Sequence, residues 1–232
     1  MNLQQYQQNK KTQTTGQFRP RTICTDCWQP SFNCFCHQIE KFDPNIEFVI
    51  LIHPIEARRR IATGRMSYLS LENSHIVRGS EFSKCLIVNQ LLADTNYNNV
   101  ILSRGERALD LTTISEQEKQ KHFTTGKKLR IFVIDGTWSN AGSMINRSPN
   151  LQKLPRFCFT PKTPSNIRVR KQPNPMCYST LEAIHHIIEL LGPSQGFDKS
   201  LRTHDKLLKP FNWVVDQQLS RIKNNKHWRK IS

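Results

Sequence analysis

Four cysteines crowd into thirteen positions as Cys24-Thr25-Asp26-Cys27 and Cys34-Phe35-Cys36, a Cys-x2-Cys-x6-Cys-x-Cys spacing. Two short-spaced thiolate pairs can close around one soft ion if the loop from Trp28 to Asn33, which contains Pro30, folds back, and zinc is the ion that four thiolates suit. With all four positions filled by protein the metal is expected to be structural; His37, next in the chain, could stand in for one cysteine.

Three further clusters carry polar groups to places where chemistry is done. Asp135-Gly136-Thr137-Trp138 ends the apolar run Arg130 to Ile134. His53-Pro54-Ile55-Glu56, the run Arg58-Arg59-Arg60, and Thr63-Gly64-Arg65 follow the apolar run Glu47 to Ile52. In open α/β sheets ligands bind beyond the carboxyl ends of strands, so both are site candidates by position. The third, Asn166 to Pro173 with Arg168, Arg170 and Lys171, runs into Ser179-Thr180-Leu181-Glu182, a helix start with a capping box, where a carboxylate or phosphate would be favoured. Plainer roles stand beside these: an Asp that turns the chain, a Trp that packs, a loop histidine, a solvated arginine face. His185 and His186 lack the glutamate of a metalloprotease helix and read as structural, and neither Gly-x-Ser-x-Gly nor a P-loop occurs.

These residues must be held by elements, and the hydrophobic pattern supplies them. Unalternated apolar runs at 47–52, 85–88, 99–102, 130–134 and 156–159 predict strands covered on both faces. Helices are predicted at about 56–71, 115–121, 138–146, 180–191 and 211–223, the fourth ending at Gly192-Pro193. The alternation predicts an α/β fold with a mostly parallel sheet and helices on both faces, plus a small N-terminal zinc knuckle. The expected organisation is a disordered polar tail at 1–18, the knuckle at 19–42, an α/β catalytic domain at 43–223 and a basic tail at 224–232.

The bulk numbers narrow the partner. Among 232 residues, 34 Lys and Arg oppose 18 Asp and Glu, a net charge of +16 that points to a polyanion. No stretch approaches the roughly 18 apolar residues of a membrane span, so nucleic acid is the expected partner, and the N-terminal stretch reads as neither signal nor anchor. Seven cysteines, four of them clustered, suit a reducing cytoplasm and a metal better than disulfides. Arg58, Arg59, Arg60, Arg65, Lys171, Lys226 and Arg229 are the expected phosphate contacts. No obligate protein partner is evident, and monomer and homodimer both stay open.

In order along the chain, the cysteine knuckle, His53-Pro54-x-Glu56, Thr63-Gly64-Arg65, Asp135-Gly136-Thr137-Trp138 and Ser179-Thr180-Leu181-Glu182-Ala183 resemble the DTW-domain proteins, the tRNA-uridine aminocarboxypropyltransferases. The resemblance spans about residues 20–220. It implies a SPOUT-like fold with a knotted C-terminal part, S-adenosylmethionine as donor, and transfer of its 3-amino-3-carboxypropyl group to N3 of a tRNA uridine. It also implies donor contacts from His53, Thr63, Gly64, Asp135, Gly136, Thr137, Trp138 and Glu182, with Ser179 and Thr180 beside the adenosine. Where the family usually has Thr-Asn-Thr-Gly this chain has Ile61-Ala62-Thr63-Gly64, so no polar contact is expected from Ala62.

The implied chemistry gives Asp135 a task. An imide nitrogen becomes a nucleophile when a carboxylate takes its proton, and a solvated Asp is a poor base, so burial beside Trp138 is expected to sharpen it, with the indole drying the site or stacking on the target base. Arg168 or Arg170 would hold the donor carboxylate and turn the γ carbon toward the uridine. Two rivals remain: an RNA methyltransferase of the same superfamily, and a non-catalytic zinc-knuckle RNA-binding protein.

Overall fold

The computed structural model describes residues 22–59, 61–123, 125–165 and 174–224. Six strands are joined by short helices: β1 (Ile46–Ile52), β2 (Ser74–Arg78), β3 (Tyr97–Leu102), β4 (Leu109–Asp110), β5 (Lys128–Asp135) and β6 (Arg156–Cys158). They form one sheet in the order β2-β1-β5-β3-β6-β4, and every pairing is parallel.

The central strands read as apolar runs because both faces of the sheet are covered. Phe48, Ile50, Val100, Ile131 and Val133 point into one core, which α1 (Thr63–Ser70) enters with Met66, and Val49, Leu51, Ile101 and Phe132 point into the other. The second core is closed by α2 (Leu86–Ala93), α4 (Trp138–Asn146) and α5 (Pro149–Gln152), through Val88, Met144, Ile145 and Leu151. Between α2 and α4 in the chain lies α3 (Glu116–Lys121), whose Ser115 and Glu118 form a capping box. The first core also receives Leu181, Ile184, Ile187, Ile188 and Leu191 of α6 (Thr180–Leu191) and Phe211, Val214 and Val215 of α7 (Leu208–Asn224).

Two expectations change. The run Cys85 to Val88 is not a strand: Cys85 precedes α2, where Val88 is buried and Leu91 and Leu92 pack on the same core at helical spacing, leaving Leu86 and Ile87 exposed. The predicted helix at 56–71 is a 3-10 turn at Glu56–Arg58 followed by α1.

The Cys-rich segment packs onto the first core, burying Cys27 and Phe35 completely. It is tied to the sheet layer by a parallel bridge from Phe42 to Leu71, and to α7 by Arg221, whose guanidinium donates to Asn33 Oδ1 (3.2 Å) and the Phe32 carbonyl (3.1 Å). Among the described residues no helix is long and apolar enough to cross a membrane.

Candidate active site and metal centre

Beyond the carboxyl ends of β3, β5 and β6 lies a cleft of about 750 Å³. Asp135, the last residue of β5, is 5% exposed and lines it. Its carboxylate is gripped from two sides: Oδ2 accepts from the Gly64 amide at 3.2 Å, and Oδ1 accepts from Thr180 Oγ1 at 2.6 Å. Gly64 lies in the first turn of α1 and Thr180 is the first residue of α6. Two helix starts therefore converge on one acid and fix the position of both its oxygens.

The sequence reading brings a coherent set to this cleft. Thr63, Asp135, Gly136, Thr137, Trp138, Ser179 and Thr180 all line it. Thr137 caps α4 by accepting from the Asn140 amide, which aims Trp138 outward at the helix start. Trp138 is 60% exposed on the cleft wall, while the Gly64 amide of α1 packs directly on the Asp135 carboxylate. Ser179 and Glu182 form the expected capping box, and Glu182 also accepts from Ser165 Oγ at 2.8 Å, which commits it to holding the start of α6.

Other predicted residues lie elsewhere. His53 sits just past β1, where Nδ1 accepts from the Ile55 amide at 3.2 Å, and it is not part of the cleft lining. Arg58 is exposed, whereas Arg59 pairs with the buried Glu56 at 3.0 Å. Arg65, placed by the sequence reading among phosphate contacts, is only 7% exposed. Its Nε donates to the Asp26 carbonyl at 2.6 Å and its guanidinium stacks 3.4 Å from the Trp28 ring centroid, so it braces the Cys-rich segment against α1. Arg60, Arg168, Arg170, Lys171, Lys226 and Arg229 lie outside the described residues, as do the tails expected before residue 19 and after 224.

The cleft also has walls the sequence reading missed, among them Leu102, Ser103 and Arg104 after β3, and Cys158, Phe159 and Tyr178. The strand-end rule that singled out Asp135 applies equally to Ser103-Arg104, which follow an apolar run read as a strand.

The four cysteines converge as their spacing predicts. All four sulfurs lie within 4.8 Å of one another, with Cys24 to Cys36 and Cys27 to Cys34 each at 3.7 Å. A tetrahedron with Zn–S bonds of about 2.3 Å has edges of about 3.8 Å, so the donor set and its shape fit zinc. The backbone amides of Cys27 and Asp26 draw the Cys24 thiol down to about 7, while burial pushes the thiols of Cys27 and Cys36 up. His37 is not part of the cluster; its ring packs edge-on against Trp213, 4.7 Å between centroids. Outside the cleft lining, His185 bonds Asp205 at 2.8 Å and His186 packs on Phe159.

The model of the DTW domain matches residues 21–219. The tRNA-uridine aminocarboxypropyltransferase 2 of Drosophila melanogaster is 28% identical over 209 residues, covering 86% of this chain and 76% of that protein. The tRNA-uridine aminocarboxypropyltransferase A of Arabidopsis thaliana is 24% identical over 220 residues, covering 82% and 83%. No solved structure matches the chain. A single family model thus takes in the cysteine cluster, the acid at the end of β5 and the two helices that hold it, and the chain belongs to the DTW domain family.

Proposed function

We propose that the chain transfers the 3-amino-3-carboxypropyl group of S-adenosylmethionine to N3 of a tRNA uridine. The names of its relatives support the reaction class. The observation that carries the reading is the convergence of Gly64 and Thr180 on Asp135 at the floor of the cleft.

In this reading Asp135 takes the N3 proton of the uridine. The carboxylate, held by Gly64 and Thr180, lies on the wall of the cleft that the uridine would enter. The uridine nitrogen attacks the γ carbon of the methionine chain, the carbon–sulfur bond breaks, and the sulfonium leaves as the neutral thioether 5′-deoxy-5′-methylthioadenosine. Trp138, exposed at the lip, offers a face on which the target base stacks. N3 is buried in a base pair, so the acceptor is an unpaired or flipped uridine. Arg58 and the chain's net charge of +16 supply grip on phosphates.

Cys24, Cys27, Cys34 and Cys36 would hold zinc, which supplies no chemistry to the reaction and fixes the fold of the 19–42 segment against the 43–223 catalytic domain. Cytoplasmic tRNA is the expected substrate pool.

Incubating the purified chain with donor and tRNA, digesting, and weighing the nucleosides tests the reading. An aminocarboxypropyl adduct on uridine, lost in Asp135→Asn, is expected. A methyl adduct would make it a methyltransferase, and no adduct would leave an RNA-binding protein.

A further inference from the structure

We infer that Arg104 holds the α-carboxylate of the donor and thereby decides which carbon of the sulfonium faces the acceptor. This rests on the donor reading above. Among the described residues lining the cleft, Asp135 is the sole acid and Arg104 the sole permanent cation. The other described residues of the wall are neutral, with hydroxyls such as Thr63, Ser103 and Thr180 and apolar faces such as Phe159 and Ile145. Among its described residues the cleft thus sets one acid and one permanent cation, a pair that complements a ligand carrying a sulfonium and an amino acid end.

Arg104 is set up for an anion. It stands two residues beyond β3, and the chain is fixed there because the Ser103 amide donates to the Phe157 carbonyl at 2.9 Å. Its own Nη2 donates to the Phe159 carbonyl at 3.2 Å, which orients the guanidinium plane and leaves further N–H groups of the fork to offer. The nearby acid, Asp110, is already committed elsewhere. Its Oδ1 accepts from the Thr112 amide (2.9 Å) and Thr112 Oγ1 (2.6 Å), and its Oδ2 accepts from Thr160 Oγ1 (2.6 Å). No described carboxylate lies within ion-pair distance of Arg104. An exposed arginine pinned by one hydrogen bond, facing a cleft and with no described carboxylate in ion-pair contact, is a pre-oriented fork for bidentate carboxylate binding.

The consequence is specificity of transfer. The sulfonium presents a methyl and a γ carbon, and anchoring the carboxylate end fixes the three-carbon chain in line with the attacking nitrogen. Arg104 is thus assigned as the residue that makes the donor give up its amino acid side.

Two nucleosides that differ only in that end separate this role from a structural one. S-adenosylhomocysteine carries the carboxylate, and 5′-deoxy-5′-methylthioadenosine does not. Calorimetric titration of the full chain and of its Arg104→Met and Arg104→Lys variants should show S-adenosylhomocysteine affinity falling roughly 10- to 100-fold in Arg104→Met, as expected for loss of a charge-assisted pair. Affinity for 5′-deoxy-5′-methylthioadenosine should stay within about twofold, and Arg104→Lys should recover part of the loss. Equal weakening of both nucleosides, or of neither, overturns the assignment; so does a carboxylate-specific loss found in Arg168→Met or Arg170→Met but not in Arg104→Met. If the unaltered chain binds neither nucleoside, the donor reading itself falls, and this assignment with it.

Discussion

The Gly64 amide and the Asp135 carboxylate meet at 3.2 Å, and a methyl group built on Gly64 would stand 2.3 Å from Oδ2, 2.9 Å from Cγ and 3.0 Å from Ile50 Cγ2. The glycine is therefore required by the close approach of α1 to the acid, since its backbone lies in the ordinary helical region. Asp135 cannot simply swing aside, because Thr180 holds its other oxygen.

Gly64→Ala sets two effects against each other. Alanine gains about 1 kcal/mol of helix propensity, while overpacking costs about 1–3 kcal/mol. The clash should win modestly in stability and heavily in function, because displacing a reacting group by about 1 Å costs on the order of 100-fold. The expected result is a melting temperature a few degrees lower and transfer reduced about 100-fold; a variant with full activity would show that Asp135 need not stay where α1 puts it.

Thr180 makes the complementary grip. Thr180→Val keeps the shape and removes the hydroxyl that donates to Oδ1 at 2.6 Å, a bond to a charged group worth about 1.5–3 kcal/mol. Single-turnover transfer should slow about 10-fold or more, while Thr180→Ser stays near the unaltered rate. Equal rates for valine and serine would remove the hydroxyl from the argument.

The sheet centre was legible because β1, β3 and β5 are apolar on both faces, which gives unbroken runs. Cys85 to Val88 is a four-residue run too short for its period to show, and its helix became apparent only through Leu91 and Leu92 folding back on the same core. The edge strand β2 carries only Ile76 and Val77 as apolar residues and so gives no such run. In the site, Asp135 and Thr180 were readable from their positions at a strand end and a helix start. Arg65 was not, because the contact that buries it, with Asp26 and Trp28, joins segments 39 residues apart and leaves no local trace.

That contact joins the cysteine cluster to the active acid. Arg65 follows Gly64 directly, and its Nε holds the Asp26 carbonyl inside the Cys24 to Cys27 turn at 2.6 Å. Purified chain is expected to carry one zinc per molecule by elemental analysis. Chelation, or Cys27→Ser, should lower the melting temperature by several degrees, since a chain of this size shifts about 2–4 °C per kcal/mol and a structural metal contributes several kcal/mol. Arg65→Met should keep the zinc and still weaken transfer by loosening α1 under Asp135. Loss of zinc with no change in melting would mean that the segment folds without metal.

Acid should weaken the fold in two pH ranges, and the reason lies at the far end of α6. Arg202 bonds Glu189 (2.7 Å) and Asp205 (2.8 Å), His185 bonds the same Asp205 oxygen (2.8 Å), and the fully buried His204 bonds Glu189 (3.3 Å). Burial holds His204 below its ordinary value of 6.5 and does the same to His186 against Phe159. Burial works to raise Glu189 and Asp205, but Arg202, with His204 and His185 respectively, holds them below their ordinary 4.5 and 3.8. For His204, His186, Glu189 and Asp205 the unfolded chain binds the proton first, so stability rises with pH across each window. It is complete above 6.5, erodes as the unfolded histidines take protons that the folded ones refuse, and erodes again below 4.5 as the carboxylates follow. Urea midpoints measured from about pH 8 to about pH 4 should therefore fall in both ranges, and His204→Gln, which cannot titrate, should shrink the upper fall to the share that His186 contributes. A midpoint unchanged between pH 7 and 5 in the unaltered chain would mean that His204 and His186 titrate alike folded and unfolded, and that their burial exacts no proton linkage.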